Sequence, residues 1–206
     1  FYNIVVGDDC SIDGTAEIIK KKYPKIKIIQ QSKNLGYGGN QKCLYNYAID
    51  SGFDFIVMIH GDLQYTPRLI PSLASMMFYA KYDFVFGSRI TGGNAISGGM
   101  PFYKYLSNRL LTFFQNIVTG RKLSEYHSGL RGFRVHKIKR IDYTDFSDDF
   151  IFDNQIILAV IKGKFSIGEI SCETVYNHNS SSISFKKSVI YGIGVISESI
   201  KFLFSR

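Results

Sequence analysis

Asn3-Ile4-Val5-Val6-Gly7-Asp8-Asp9-Cys10-Ser11-Ile12-Asp13-Gly14-Thr15 runs from apolar residues straight into paired carboxylates and then into turn formers. The apolar part predicts a short strand over residues 3–7, and Asp13 or Thr15 can cap a helix that passes through Ile18 and Ile19 to Tyr23 before Pro24 stops it. The pattern then repeats. Residues 26–30 read as a second strand, 34–40 as a glycine-rich loop, and 41–51 as a helix with Leu44 and Ala48 on one face. Residues 53–59 are a nearly continuous apolar run, of the kind buried on both faces of a parallel sheet, and they stop abruptly at His60-Gly61-Asp62. Pro67 opens a helix through Met77, and residues 82–87 form another strand ending at Ser88-Arg89. Phe102, Leu106, Leu110, Phe113 and Ile117 then recur at helical spacing. Such alternation predicts an α/β fold with a doubly wound, mostly parallel sheet.

In open sheets of this type ligands bind beyond the carboxyl ends of the strands. Here Asp8 and Asp9, then Asp62 and Gln64, then Ser88 and Arg89 follow three successive strands, which defines a site hypothesis. At the first of these ends a carboxylate can accept from nucleobase or ribose donors, although Asp, Ser and Gly also suit a plain turn and helix cap. At the second, His60, Asp62 and Gln64 alternate, so an extended segment would project three ligands toward one side. Mg²⁺ or Mn²⁺ can be held by one strong carboxylate with substrate phosphate oxygens and water. A capped turn before Pro67 is the plainer alternative. Asp148, Asp149 and Asp153 stand at the start of another predicted helix, where Asp148 reads as a cap. Asp149 and Asp153, four apart, would share a face from which one reaches an acceptor. His127, His136 and His178 lack partners at metal-ligand spacing and read as surface or core residues.

Composition narrows the classes. A chain of 206 residues that is 45% hydrophobic suits one globular domain, expected over residues 1–185, followed by a helical segment over 186–206. The 14 Tyr and 17 Phe follow helix and strand periodicity and are expected in the core. A formal charge of +8 implies anionic company, but the basic residues are scattered, which argues against nucleic acid. Cys10, Cys43 and Cys172 are far apart and read as reduced thiols in a cytosolic setting. The N-terminus has no signal-peptide pattern, and no apolar stretch reaches the roughly 18 residues of a spanning helix. The last segment combines Val189, Ile190, Ile193, Ile196, Ile200 and Leu203 with Lys186, Lys187, Lys201 and Arg206. It reads as a helix lying on a membrane surface or, equally, as one that covers the sheet.

Taken together, these motifs resemble the family 2 glycosyltransferases of the GT-A fold, in the branch of dolichyl-phosphate mannose synthase and bacterial polyprenyl-phosphate sugar transferases. The resemblance covers nearly the whole chain. It rests on Asp8 to Thr15, on Asn34-Leu35-Gly36, on Gly87-Ser88-Arg89 and on Ser128-Gly129-Leu130-Arg131-Gly132-Phe133-Arg134. It implies that Asp8, Asp9, Asp13, Asn34 and Gly36 hold a nucleotide sugar and that Arg89, Arg131 and Arg134 hold phosphate. It also implies metal at Asp62 and Gln64, with Asp153, Asp149 or Glu125 acting on the acceptor side. The polar stretch 177–184 resembles a mobile acceptor-side loop. Two departures stand out. His60 occupies the place of the first Asp of an Asp-x-Asp pair and is left to ligate metal, to touch the sugar nucleotide or to pack. The family's earlier strand, ending in a Pro-x-x-Asn-Glu-like sequence, precedes the point where this sequence starts.

The reading implied is a metal-dependent, inverting transfer of a hexose from a UDP- or GDP-sugar to a polyprenyl phosphate or other membrane-associated acceptor. Its expected location is the cytoplasmic face of a membrane, held peripherally. Two rivals are a nucleotidyltransferase, which normally carries a basic glycine-rich loop after its first strand, and a non-catalytic sugar-nucleotide or polysaccharide-binding module, suggested by His60.

Overall fold

The computed structural model describes residues 3–93, 95–174 and 185–204, with the side chains of residues 185 and 186 left aside. The first unit is β1 (Val5–Asp8), α1 (Thr15–Lys22) and β2 (Lys27–Gln30), with β1 and β2 paired in parallel from Val5↔Lys27 to Asp8↔Gln30. Next comes α2 (Gly36–Asp50), which packs on β1. Residues 36–40, expected as loop, are helical instead. Gly36 and its neighbours can start a helix there because the segment is held from outside, as described below.

The larger sheet contains β3 (Phe55–Met58), β4 (Phe84–Ser88), β5 (Arg131–Arg134) and β6 (Ile167–Ser171) in the order β3-β5-β4-β6. β5 runs antiparallel to both β3 and β4, and β4 runs parallel to β6, so three of the four strands share one direction. The sheet is thus mostly parallel with one reversed strand inserted. That reversal matters for the site. Arg131 pairs with Met58 and Phe86 near the carboxyl ends of β3 and β4, so the chain enters β5 at the edge where those strands deliver their polar residues.

Side chains of β4 alternate between two cores, as a strand with both faces covered requires. Phe84 and Phe86 join Phe133, Tyr45, Tyr126, Phe152 and Ile156 on one face, while Val85 joins Leu73, Met77, Leu130 and Cys172 on the other. The second face is covered by α3 (Ile70–Phe78), entered through a 3₁₀ turn at Pro67–Leu69. The first is covered by α2 and α6 (Phe152–Lys162), with the short α5 (Val135–Ile138) after β5.

Two long helices complete the molecule, α4 (Phe102–Thr119) and α7 (Phe185–Phe204), which pack against each other. The stripe predicted on α4 is present, but it faces outward. Phe102, Leu106, Leu110, Phe113 and Ile117 are 47 to 67% exposed, whereas Asn108, Thr112, Gln115 and Thr119 are buried. The expectation that these Phe belong to the core is therefore corrected. Periodicity detects an apolar face but not which side of it is wet. α7 likewise buries Val195, Ser199 and Phe202 and exposes Ile190, Ile193, Ile200, Leu203 and Phe204. One of its faces packs on α4 and α6, and the other presents apolar side chains outward. Among the described residues no helix is long and apolar enough to cross a membrane.

Candidate active site

Asp8 and Asp9 leave β1 in different directions. Asp9 accepts from the backbone N–H groups of Leu35 at 2.7 Å and Gly36 at 2.9 Å, so it caps the start of α2. Asn34 braces the same loop, donating to the Asp9 carbonyl and accepting from Gly36. Gly36 itself adopts φ +83°, and a Cβ there would run into the Asp148 carbonyl oxygen. That carbonyl accepts from Gly38 at 2.7 Å and Gly39 at 3.3 Å. Asp13 is fully exposed and accepts from the N–H and hydroxyl of Thr15, bonds that hold its carboxyl below the usual range. Asp9, Asp13, Asn34 and Gly36 thus shape and cap the loops around the site. Asp8 differs, being 3% exposed, with Oδ2 lacking any hydrogen-bond partner among the described residues.

The segment after β3 turns rather than extending. Asp62 Oδ1 accepts from the Gln64 N–H at 3.0 Å, and Leu63 sits at φ +60°. His60, Asp62 and Gln64 therefore do not project along one side as an extended strand would. His60 Nε2 lies 2.8 Å from the Tyr37 hydroxyl, and its ring packs edge-on against Tyr37 and Tyr65. His60 is thus packed between two aromatic rings with Nε2 engaged, and it also lines the cleft described below. Burial, the largest influence, lowers its pKa despite the nearby Asp153 and Asp62 carboxylates. Among the described residues no group of three His, Cys, Asp or Glu could cage an ion. The donor chemistry instead fits a divalent ion held by the Asp62 carboxylate and completed by phosphate oxygens and water.

Glu125 is fully buried and is not placed to act as a base. Its Oε2 accepts from Arg89 Nη2 at 2.6 Å and from Asn108 at 3.0 Å. Burial would raise its pKa, but the Arg89 charge and hydrogen bonds override that and hold it below the ordinary value. Its work is to orient Arg89, which also donates to the His127 carbonyl. Arg131 and Arg134 are corrected too. Arg131 is 1% exposed and spends its guanidinium on the carbonyls of Ser128, Tyr126 and Asp153, with Asp153 Oδ1 at 3.7 Å. Arg134 pairs with Phe55 at the opposite end of the sheet and donates to the carbonyls of Tyr82 and Met77.

The acids before α6 also separate. Asp148 is ion-paired with Lys42 at 2.9 Å, and Asp149 accepts from the Phe150 N–H, both ahead of the helix, so neither shares a helical face with Asp153. Asp153, in the first turn of α6, accepts from Tyr37 at 2.8 Å through Oδ2 and from Gln41 at 3.2 Å through Oδ1. Tyr37 falls in the stretch expected as loop and Gln41 at the first position of the expected helix, so nothing in the local pattern aims either side chain at Asp153. The charge pattern around Asn108 and Glu125 was equally silent, since no local spacing announces an ion pair between residues 89 and 125.

Of these residues Tyr37, His60, Gln64, Arg89, Asn108 and Asp153 border one cleft of about 700 Å³, whereas Asp8, Asp9, Asp62, Glu125 and Arg131 are not among the described residues that line it. His60, Gln64, Arg89 and Asp153 line its polar end, and Leu110, Val189, Ile193 and Ile196 line the other, where α4 and α7 carry their outward apolar faces. Lys104 also lines it, its pKa lowered by burial and then by the charge of Arg89. The stretch 177–184 and the side chains of Lys186 and Arg206 lie outside the described residues.

The profile described as Glycosyl transferase family 2 matches residues 1–142. Among similar proteins is a UDP-N-acetylglucosamine–dolichyl-phosphate N-acetylglucosaminyltransferase of Methanococcus voltae, 25% identical over 87% of this chain and 77% of its own. Another is an undecaprenyl-phosphate mannosyltransferase of Micrococcus luteus, 25% identical over 68% of this chain and 58% of its own. Among solved structures, glucosyl-3-phosphoglycerate synthase from Mycobacterium tuberculosis, in complex with Mn²⁺, uridine diphosphate and glucosyl-3-phosphoglycerate, aligns over 97% of this chain and 68% of its own. The TM-score is 0.69 at 13% identity, a likeness of fold.

Proposed function

Because the chain belongs to the family 2 glycosyltransferases and is a glycosyltransferase of GT-A fold, we propose that it moves a hexose, with inversion, from a UDP- or GDP-sugar to a polyprenyl phosphate at a membrane surface. The observation that carries the acceptor is the cleft, polar around Asp153 and Arg89 and apolar between α4 and α7. A phosphate head on a long hydrocarbon tail has that same division. Arg89, backed by Glu125, and Lys104 both line it, and an acceptor phosphate would meet both cations. The names of the Methanococcus and Micrococcus relatives support a polyprenyl-type phosphate acceptor, and the Mn²⁺ and uridine diphosphate of the structural neighbour support the donor and metal.

In the reaction an acceptor phosphate oxygen attacks the anomeric carbon while the bond to the nucleoside diphosphate breaks and its electron pair leaves with the diphosphate. Asp8, buried with one oxygen unpartnered among the described residues, faces the donor in this reading. Asp62, with Gln64 beside it, would hold Mn²⁺ or Mg²⁺, whose charge stabilises the departing diphosphate. Arg89, fixed by Glu125, holds the acceptor phosphate, and the like charge of the Asp153 carboxylate turns the phosphate oxygens away from α6. The acceptor oxygen is already anionic, so no strong base is required. The outward faces of α4 and α7 rest in the boundary of the bilayer, with Lys187 and Lys201 toward the head groups.

The test mixes the protein with UDP- and GDP-sugars, Mn²⁺ or Mg²⁺ and polyprenyl phosphate in liposomes, and reads products by mass spectrometry. A glycosylated polyprenyl phosphate is expected, with Asp62→Ala losing on the order of 10³-fold in turnover. Absence of lipid-linked product with every donor would overturn the acceptor assignment.

A further inference from the structure

Tyr37, His60 and Asp153 come from α2, from the turn after β3 and from α6, yet they meet at the polar end of the cleft. The Tyr37 hydroxyl is 2.8 Å from His60 Nε2 and 2.8 Å from Asp153 Oδ2. A phenol has one proton to give and lone pairs with which to accept. Asp153, paired with Arg131, is an acceptor only, so the proton of Tyr37 is committed to it. Toward His60 the phenolic oxygen must then accept, which requires the ring to carry its hydrogen on Nε2. Gly129 makes room for this arrangement, since a Cβ there would overlap the His60 ring.

We propose that His60 and Tyr37 form a one-way donor chain, from His60 Nε2–H to the Tyr37 oxygen and from the Tyr37 O–H to Asp153 Oδ2, that fixes the Asp153 carboxylate toward the acceptor. Both are positioning residues. Through this chain the strand end that faces the donor is joined to the helix that faces the acceptor. It also gives a physical reason for His at position 60. An Asp there would set a second acceptor against a phenol with a single proton, and Tyr37 could satisfy only one carboxylate. A histidine donates where an aspartate cannot.

The proposal rests on the assigned acceptor reaction for its kinetic arm, but not for its spectroscopic one. Long-range ¹H–¹⁵N spectra of the four histidines, with His60 assigned by its loss in His60→Gln, are expected to show the ring hydrogen of His60 on Nε2. An Nδ1–H ring with Nε2 bare overturns the chain, whatever the enzyme's substrate proves to be. In the transfer assay Tyr37→Phe is expected to lower kcat about 10-fold, the scale of one lost hydrogen bond to a charged group, with donor KM unchanged. His60→Gln, which can still donate, should stay within about 3-fold of the parent, whereas His60→Asp should lose about 10-fold or more. Gly129→Ala, which displaces the ring without removing a polar atom, should resemble Tyr37→Phe. In an Asp153→Asn background, Tyr37→Phe should have no further effect. If Tyr37→Phe costs the same with and without Asp153, the two residues act separately and the chain is overturned. A parent that makes no lipid-linked product defeats the acceptor assignment while leaving the ring tautomer to decide this inference.

Discussion

α6 and α4 are both amphipathic and both border the cleft, yet they are built in opposite senses. α6 buries Ile156, Ile157, Leu158, Val160 and Ile161 beside Phe152. α4 turns Leu106, Leu110, Phe113 and Ile117 outward and meets the body through hydrogen bonds. Asn108 reaches Glu125, Gln115 reaches Asn154 and Ser199, and Thr119 reaches Tyr126. Amphipathicity thus serves two ends in one molecule. In α6 it builds the core, and in α4 it builds a face that water alone would not favour. An apolar patch of this extent marks an interaction surface, and here it adjoins the apolar end of the cleft.

The sharpest way to break this comparison is to truncate an aromatic ring on each helix. Phe152→Ala should cost ~3–5 kcal/mol in urea unfolding, because Phe152 is 0% exposed and packs among Tyr45, Tyr143 and Phe146. Phe113→Ala should stay within about 0.5 kcal/mol. Comparable losses at both positions would mean that the α4 stripe is covered by the chain itself.

A second test uses the polar layer beneath α4 and α7. His127 bonds Tyr191 at 3.0 Å through Nδ1, and burial, outweighing Glu125, pushes its pKa down to about 3. The unfolded chain binds this proton below its ordinary value of 6.5 and the folded chain does not, so the stabilising contribution is complete above pH 6.5. It is lost as pH falls toward 3, at about 1.4 kcal/mol per pH unit. Between pH 8 and pH 5 that amounts to roughly 2 kcal/mol. His127→Gln should flatten the difference, as read by urea unfolding at the two pH values. An unchanged slope would place the acid sensitivity elsewhere.

The smallest effect on folding is expected from Phe113→Asp, again within about 0.5 kcal/mol. Flotation with anionic liposomes at low salt should nonetheless drop by about 10-fold or more, since an apolar side chain worth ~1.5–3 kcal/mol on burial is replaced by a charge. Unaltered flotation would detach α4 from the membrane surface.

The parts of the fold that could be read beforehand were those written in local order. The apolar run into Asp8 and Asp9, the stop at His60 and the Ser88-Arg89 strand end each announce a strand and its carboxyl terminus within a few residues, and the structure gathers polar residues there. What escaped depended on partners distant in the chain. Nothing near Gly36 tells that Asp9 and the Asp148 carbonyl will hold residues 36–40 in a helix, so Tyr37 was hidden. Nothing near Arg131 tells that it will be sealed among carbonyls, so a buried clamp looked like a phosphate ligand. The acids near residue 150 had the right composition for a helix start, but only Asp153 enters the helix and the cleft.

Gln115, Asn154 and Ser199 form a buried hydrogen-bonded knot among α4, α6 and α7, with Gln115 and Asn154 exchanging two bonds of 3.2 Å. Apolar surfaces slide over one another at small cost, but amide pairs hold at one rotation, so the knot works as a key that sets the angle of α4 about its own axis. Aim and grip are thereby separated. The stripe from Leu106 to Ile117 can trade one hydrocarbon side chain for another without turning away from its target, because the direction in which it points is decided on the opposite face of the helix.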